Sequence, residues 1–513
     1  MLEQTTIPAR TGVAIIGSGF SGLAMAAELK RSGRDDFVIL ERAGDIGGTW
    51  RDNSYPGCAC DVPSHLYSFS FAPNPDWSST FSPQEEIYAY LRNVATDQGL
   101  RAHVRYGVEV EEAAWDDDVA VWRLRTSAGE LEARAVASAA GPLSEPSIPD
   151  IPGLREFKGA VFHSATWDHD HDLTGERVAV VGTGASAIQF VPQIQPKVSK
   201  LHLFQRTAPW IMPRPDRPLK RFEHAIYRRF PKAQLAMRAG IYWARELFAI
   251  PMLHHKLARH IERVAVRHLH SQVEDQELRR KLRPGYSPGC KRILVSNDYF
   301  PALTRENVEV VCDGIAEVRE RSVVDATGVE REVDTIILGT GFHVTDLPIA
   351  DRVRGRDGRT LAEHWDGSLQ ALRGTTVKGF PNMFFVLGPN TGLGHTSVVL
   401  MAEAQAGYIR QALEHIERAG VAGIEPRPEM QAQWNEEIQR RSQDTVWLNG
   451  GCDSWYIDRN GRNSTLWPDH TFKFFAALRR FQAAEYRTVP AAVPAGPAAP
   501  VGAAELRARL VSG

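Results

Sequence analysis

The chain has 513 residues, 43% of them hydrophobic and 24% charged, and its 60 Lys and Arg against 62 Asp and Glu leave a formal net charge of -2. This is ordinary globular composition of a length that implies about three domains, and the near-neutral balance argues against nucleic acid as the main partner. Five cysteines, an odd number, argue against a disulfide scaffold, residues 1–12 are polar, and no apolar run reaches the ~18 residues of a transmembrane span, so a cytoplasmic location is expected.

In chain order, the apolar run 13–16 enters Gly17-Ser18-Gly19-Phe20-Ser21-Gly22 and then a helix-like stretch over 23–29. A second apolar run, 37–40, ends at Glu41 and completes a βαβ unit of ~30 residues. Prolines crowd residues 146–153, which read as a linker. The first pattern recurs at 178–181, with Gly182-Thr183-Gly184-Ala185-Ser186-Ala187 and a second strand over 201–204 leading to Gln205-Arg206. Residues 214–284 read as a helical insertion, with Ile241, Arg245 and Phe248 at helical spacing; its 17 Lys and Arg against 7 Asp and Glu give +10 locally. Such a basic face meets a membrane, an acidic partner or substrate, or is solvated. The run 333–338 ends on Gly339-Thr340-Gly341, and the run 383–387 leads through Gly388-Pro389-Asn390-Thr391-Gly392-Leu393-Gly394-His395 to a helix expected to end near Ala412. The Ala- and Pro-rich tail reads as disordered.

The two glycine turns bring backbone N–H groups to a pyrophosphate at a helix N-terminus. Glu41 follows Gly17 by 24 residues, where a carboxylate accepts from both ribose hydroxyls, while Arg206 stands the same 24 residues after Gly182. A guanidinium there suits a 2′-phosphate; the alternative is a surface arginine. The first fold is thus expected to hold FAD or NAD and the second NADPH, and a hydride donor paired with its acceptor makes FAD and NADPH the economical choice. The turn carrying Asn390 suits the electron-rich edge of a reduced flavin, or is a plain helix-start loop. The expected fold is α/β with two Rossmann-like dinucleotide-binding domains: FAD over 1–147 and 346–485, NADPH over 148–213 and 285–345, a helical insertion over 214–284, and a disordered tail over 486–513.

With these turns on the page, the chain resembles the type I Baeyer–Villiger monooxygenases among the class B flavoprotein monooxygenases. Phe157, Gly159, His163, Trp167 and Asp168 match the FxGxxxHxxxW[PD] fingerprint at every defined position, and Gly47, Gly48, Trp50, Tyr55, Pro56, Gly57 and Asp61 match GGxWxxxx[FY]P[GM]xxxD. The resemblance runs from about Val13 to about Phe481 and is weakest in the insertion. It implies FAD contacts at Gly17, Gly19, Gly22, Glu41, Gly48, Thr49, Trp50, Asp61 and Asn390, and NADPH contacts at Gly182, Gly184, Ser186, Arg206, Thr207, Lys291 and Trp455. It also implies an active-site Arg292 with Asp61 as its carboxylate partner. His163 and Trp167 would couple the domains.

The implied reaction inserts one oxygen atom of O2 beside a ketone carbonyl, giving an ester or lactone through a C4a-peroxyflavin kept anionic by an always-charged arginine. The related N- and S-oxidising flavin monooxygenases lack the Trp and Asp that close the first fingerprint. An N- or S-monooxygenase, and a flavin- and NADPH-binding redox sensor without turnover, are the alternatives. Cys58 and Cys60 evoke disulfide reductases, but their spacing suits a disulfide poorly and both read as small buried residues. No metal site is expected, since His254, His255, His260, His268 and His270 lack companions at ligand spacing.

Overall fold

The computed structural model describes residues 6–490. Two sheets organise it. The first runs, in spatial order, Val353–Arg354, Val110–Asp116, Val121–Thr126, Gly129–Ser138, Arg10–Ile16, Phe37–Glu41, Val104–Tyr106, with Met383–Phe385 also pairing on Gly129–Ser138. Its nucleotide-fold half is parallel, Ala14 opposite both Val38 and Val136, and the meander 110–138 is antiparallel. Arg10–Ile16 and Phe37–Glu41 are almost wholly buried, as parallel strands covered on both faces must be. The helix Phe20–Arg31 is buried nearly all round because the long helix Val398–Ala419 packs against it.

The second sheet is fully parallel, ordered Val308–Val311, Lys200–Phe204, Arg177–Val181, Thr335–Leu338, Ala160–His163. Helix Ala187–Ile194 covers it, and the hairpin sheet Ile315–Arg319, Ser322–Asp325, Glu330–Glu332 extends that part of the chain. The chain folds as the α/β protein expected, with a Rossmann-like unit at each glycine turn. Residues 214–284 contain helices Arg221–Arg229, Pro231–Leu253, Arg259–Gln272 and Gln276–Leu282.

Three expectations need correction. Tyr486–Val489 is a strand paired antiparallel with Gly423–Pro426, so the tail begins later than residue 486; its Ala- and Pro-rich remainder lies outside the described residues. Tyr486 and Val489 are buried, which an ordered edge strand requires and the composition of the following residues concealed. Cys290 and Cys452 form a disulfide across 162 residues, a pairing that neither an odd count nor local spacing reveals. The helix after the third glycine turn runs to Ala419, capped there by Gly420 in the left-handed region.

Candidate functional site

Gly17 ends the first strand with φ +99°, and a Cβ on Gly22 would lie 1.9 Å from the Gly17 carbonyl oxygen. Helix Phe20–Arg31 therefore starts hard against the strand, and no side chain caps its first turn. Gly48 backs onto this turn, its absent Cβ leaving 3.2 Å to Gly19 Cα. Between them opens a crevice lined by residues 16–21, Glu41, 47–52, 139–145, 387–389 and 391–393, reaching Arg292, Trp455 and Tyr456. Uncapped N–H groups and the positive helix end on its wall suit a pyrophosphate.

Glu41 is buried at the crevice edge. Its Oε2 accepts from Ser18 N (3.0 Å) and Ser18 Oγ (2.5 Å), and its Oε1 from Ala43 N (2.9 Å) and Arg51 Nη1 (3.1 Å). Two of these donors are side chains, which can yield to ribose hydroxyls. Trp50 is anchored by Nε1 donating to Tyr67 Oη at 3.0 Å. Pro389 and Thr391 line the crevice, whereas Asn390 turns behind it, donating from Nδ2 to Asn463 O at 2.7 Å and holding positive φ of 57°. In this structure Asn390 shapes the loop instead of lining the crevice.

Arg292 and Asp61, 231 residues apart, meet in a bidentate pair: Nε to Oδ2 and Nη2 to Oδ1, both 2.6 Å. The Asp61 carboxylate raises the guanidinium pKa against the opposing effect of burial. Burial alone would raise the Asp61 carboxyl, but Arg292 and then Arg245 hold it below its ordinary value. The result is a permanent ion pair that keeps a planar cation in the crevice wall. Arg245, on helix Pro231–Leu253, points Nη2 at the Asp61 carbonyl oxygen (3.4 Å), and its buried Nε has no partner. Sequence reading assigned Arg245 no role; the available signal was a cation inside an otherwise apolar helical stripe. Tyr456, buried on the crevice wall, likewise went unnoticed, and burial pushes its phenol up to about 12.

At the second turn, Gly182 has φ +107° and a Cβ there would lie 2.4 Å from Gly339 O, whereas a Cβ on Gly184 would meet nothing within 4 Å. Backbone can be approached at Gly184, and helix Ala187–Ile194 begins at Ser186 without a side-chain cap. Arg206 is exposed and Thr207 half-buried beside it. Lys291, whose ammonium lies 5.4 Å from the centre of the Tyr286 ring, has its pKa lowered by burial and then by Arg206. Neither cation forms an ion pair among the described residues, and Arg206 is near enough to act on Lys291, an arrangement that an anion would relieve.

Both fingerprints converge on helix Ala187–Ile194. Tyr55 Oη donates to Gln189 Oε1 at 3.0 Å, the Gln189 amide also bonds both backbone groups of Ala59, and a Cβ on Gly57 would lie 2.8 Å from Gln189 O. From the other side Trp167 packs on Phe190 (5.3 Å) and Phe162 (5.1 Å). His163, at the end of the edge strand Ala160–His163, is buried and accepts at Nδ1 from Ala165 N at 3.1 Å, and burial lowers its pKa. Phe157 is buried, and Gly159 leaves only 2.0 Å between a built Cβ and Asp334 O; Asp168 is exposed and caps Asp170 N at 3.1 Å.

Trp455 is exposed, stacked edge-on with Tyr456 (4.3 Å). The Cys290–Cys452 bridge ties its segment to the one that carries Lys291 and Arg292. Cys58 and Cys60 are buried free thiols; burial raises both, Cys58 to about 11, which removes thiolate character at neutral pH. No metal-binding cluster occurs among the described residues.

A profile of the family described as flavin-binding monooxygenase-like matches residues 10–353. The chain is 54% identical over 501 residues to a Baeyer-Villiger monooxygenase of Streptomyces coelicolor, covering 96% of each protein. It is 48% identical over 477 residues to a Baeyer-Villiger monooxygenase of Pseudomonas aeruginosa, covering 92% of this chain and 90% of that one. Among solved structures, cyclohexanone monooxygenase from Rhodococcus sp. Phi1 bound to NADP+ superposes with a TM-score of 0.84 at 28% identity, covering 94% of this chain and 100% of that chain.

Proposed function

The chain belongs to the flavin-binding monooxygenase-like family, and from that membership together with the crevice we infer an FAD-dependent, NADPH-consuming Baeyer–Villiger monooxygenase that acts on a ketone and O2. The observation that carries this reading is Arg292, which lines the crevice that begins at the first glycine turn and is held there by the bidentate pair it makes with Asp61. FAD and NADPH, when bound, supply reducing equivalents and activate dioxygen so that one of its atoms can be transferred to the substrate.

The residues fit both groups. Gly17, Gly19 and Gly22 with the start of helix Phe20–Arg31 would hold the flavin pyrophosphate, Glu41 its ribose, and Gly48, Thr49 and Trp50 would close over it. Gly182, Gly184 and Ser186 would take the second pyrophosphate, with Arg206, Thr207 and Lys291 around the 2′-phosphate and Trp455 against the nicotinamide nucleotide. Arg292 stabilises negative charge that develops beside it, and Asp61 fixes the plane of its guanidinium. His163 and Trp167 relay movement between the two nucleotide-binding parts through helix Ala187–Ile194. We divide the chain accordingly into FAD-binding residues 1–147 and 346–485, NADPH-binding residues 148–213 and 285–345, and the insertion 214–284. The pairing of Val353–Arg354 and Met383–Phe385 with the first sheet supports that division.

N- or S-oxidation is not favoured, because an electrophilic, protonated oxygen donor gains nothing from a fixed cation. Product analysis tests the reading: incubation with NADPH, O2 and a panel of linear, cyclic and aromatic ketones is expected to give esters or lactones. Sulfoxide from a thioether with no ester from any ketone would refute it.

A further inference from the structure

Helix Pro231–Leu253 is turned inside out. Its charged residues beyond the first turn face the protein: Arg238 Nη1 donates to His65 O and Ser68 O at 2.8 Å each, Arg245 reaches Asp61, and buried Glu246 accepts from His470 Nδ1 (2.8 Å) and Thr471 N (2.9 Å). The outward stripe is Ala236, Gly240, Trp243, Leu247 and Ile250, with Trp243 57% and Leu247 68% exposed. The preceding helix Arg221–Arg229, packed against it, continues the pattern with Phe222, Ile226 and Phe230 at four-residue spacing, the two phenylalanines 59% and 58% exposed. Phe472 adds its exposed ring 6.1 Å from that of Trp243. A surface helix ordinarily shows the reverse polarity, and water-facing apolar surface of this kind marks an interaction site.

The charge around the stripe says what covers it. Lys220, Arg221, Arg229 and Lys232 are exposed and form no ion pair among the described residues, and Lys220 and Arg229 lie 6.0 and 5.3 Å from the rings of Phe222 and Phe230. The whole stretch 214–284 carries +10, from 17 basic and 7 acidic residues. Two copies meeting through this face would oppose like charges. An acidic lipid surface neutralises the cations while Trp, Phe and Leu enter the boundary between headgroups and acyl chains.

We propose that this face of the insertion docks on the surface of an anionic bilayer, lying in the interface without crossing it. No helix among the described residues is long and apolar enough to span. The inner side of the same helix bears Arg245 against Asp61, so docking sets that wall of the crevice close to the lipid.

Flotation of the flavin-loaded protein with vesicles tests this. Binding is expected to vesicles that mix phosphatidylcholine with phosphatidylglycerol, weakening as salt rises. Trp243→Glu with Leu247→Glu should abolish it, and Lys220→Glu with Arg221→Glu should lower partitioning at least about tenfold. Leu247→Gln alone, a milder change at the most exposed position, should weaken it in the same direction, with flavin content and NADPH oxidation unchanged. Absence of flotation with every vesicle, or equal flotation of the variants, would overturn the proposal. So would a dimer in sedimentation velocity that Trp243→Glu with Leu247→Glu dissolves, which would make the face a contact between copies of the chain.

Discussion

Arg206 and Lys291 illustrate what a single side chain contributes here: neither forms an ion pair among the described residues, and Arg206 helps to lower the Lys291 pKa. Such a pair is electrostatically unfavourable until an anion arrives, and a lost charge-assisted contact typically costs ~1.5 to 3 kcal/mol. Arg206→Ala is therefore expected to raise the KM for NADPH by about 10- to 100-fold and leave that for NADH nearly unchanged. Equal losses with both cofactors would show that Arg206 does not read the phosphate. His65 and His395 act on stability instead. Burial lowers both rings from the ordinary 6.5 to about 4, so they stay neutral when folded and take up a proton near pH 6.5 when unfolded. Their contribution is complete above pH 6.5 and is lost as pH falls from 6.5 towards 4, at ~3 kcal/mol each. Urea midpoints should fall between pH 7 and pH 5, and less so in His395→Asn; identical midpoints at both pH values would contradict the assignment. At this scale the positions of Glu41 and Arg206 at their strand ends were legible because a βαβ unit fixes the distance from glycine turn to strand end. Arg245 and the Cys290–Cys452 bridge were not, since each joins segments far apart in the chain that meet only in the folded protein.

Helix Ala187–Ile194 is the element on which residues of both fingerprints pack. Tyr55, Gly57 and Ala59 hold one side of it and Trp167 the other, so the helix that begins at the second glycine turn cannot shift without moving the segment leading to Asp61. Trp167→Ala is expected to keep the flavin content of the protein while slowing steps that need domain movement by on the order of 10- to 100-fold. Stopped-flow rates for flavin reduction, oxygenation and product release that all match the unaltered protein would remove Trp167 from that role. The strands around both turns were readable as short apolar runs bounded by glycines, in error by one to three residues at their ends. The insertion was readable as helical from its spacing, yet its inverted polarity was not, because periodicity marks an apolar face without saying whether it meets core or solvent. The strand Tyr486–Val489 was hidden for a related reason: it is ordered only by pairing with Gly423–Pro426, far back in the chain.

At the scale of the molecule, the segment following the insertion brings Arg292 to Asp61, 231 residues earlier in the chain and at the crevice of the first glycine turn. That assembly is why the pair could be named only through resemblance: nothing local in residues 289–292 or around Asp61 indicates that they meet. The two-fold plan itself was legible, since each Rossmann-like unit carries its own strand, turn and helix. If Arg292 serves oxygen transfer and not flavin reduction, Arg292→Ala should still oxidise NADPH with O2 but release hydrogen peroxide in place of ester. Losing one preorganised donor typically costs ~3 kcal/mol, about a 100- to 1,000-fold loss of that step. Asp61→Ala should fail in the same direction, less severely, because it removes orientation and leaves the cation. The most direct measurement is the ratio of ester to hydrogen peroxide per NADPH oxidised with an accepted ketone, taken alongside the anaerobic rate of flavin reduction. A collapse of the ratio in Arg292→Ala with the reduction rate retained is expected; an Arg292→Ala enzyme that makes ester at the unaltered ratio would contradict the placement of Arg292 at the centre of the reaction.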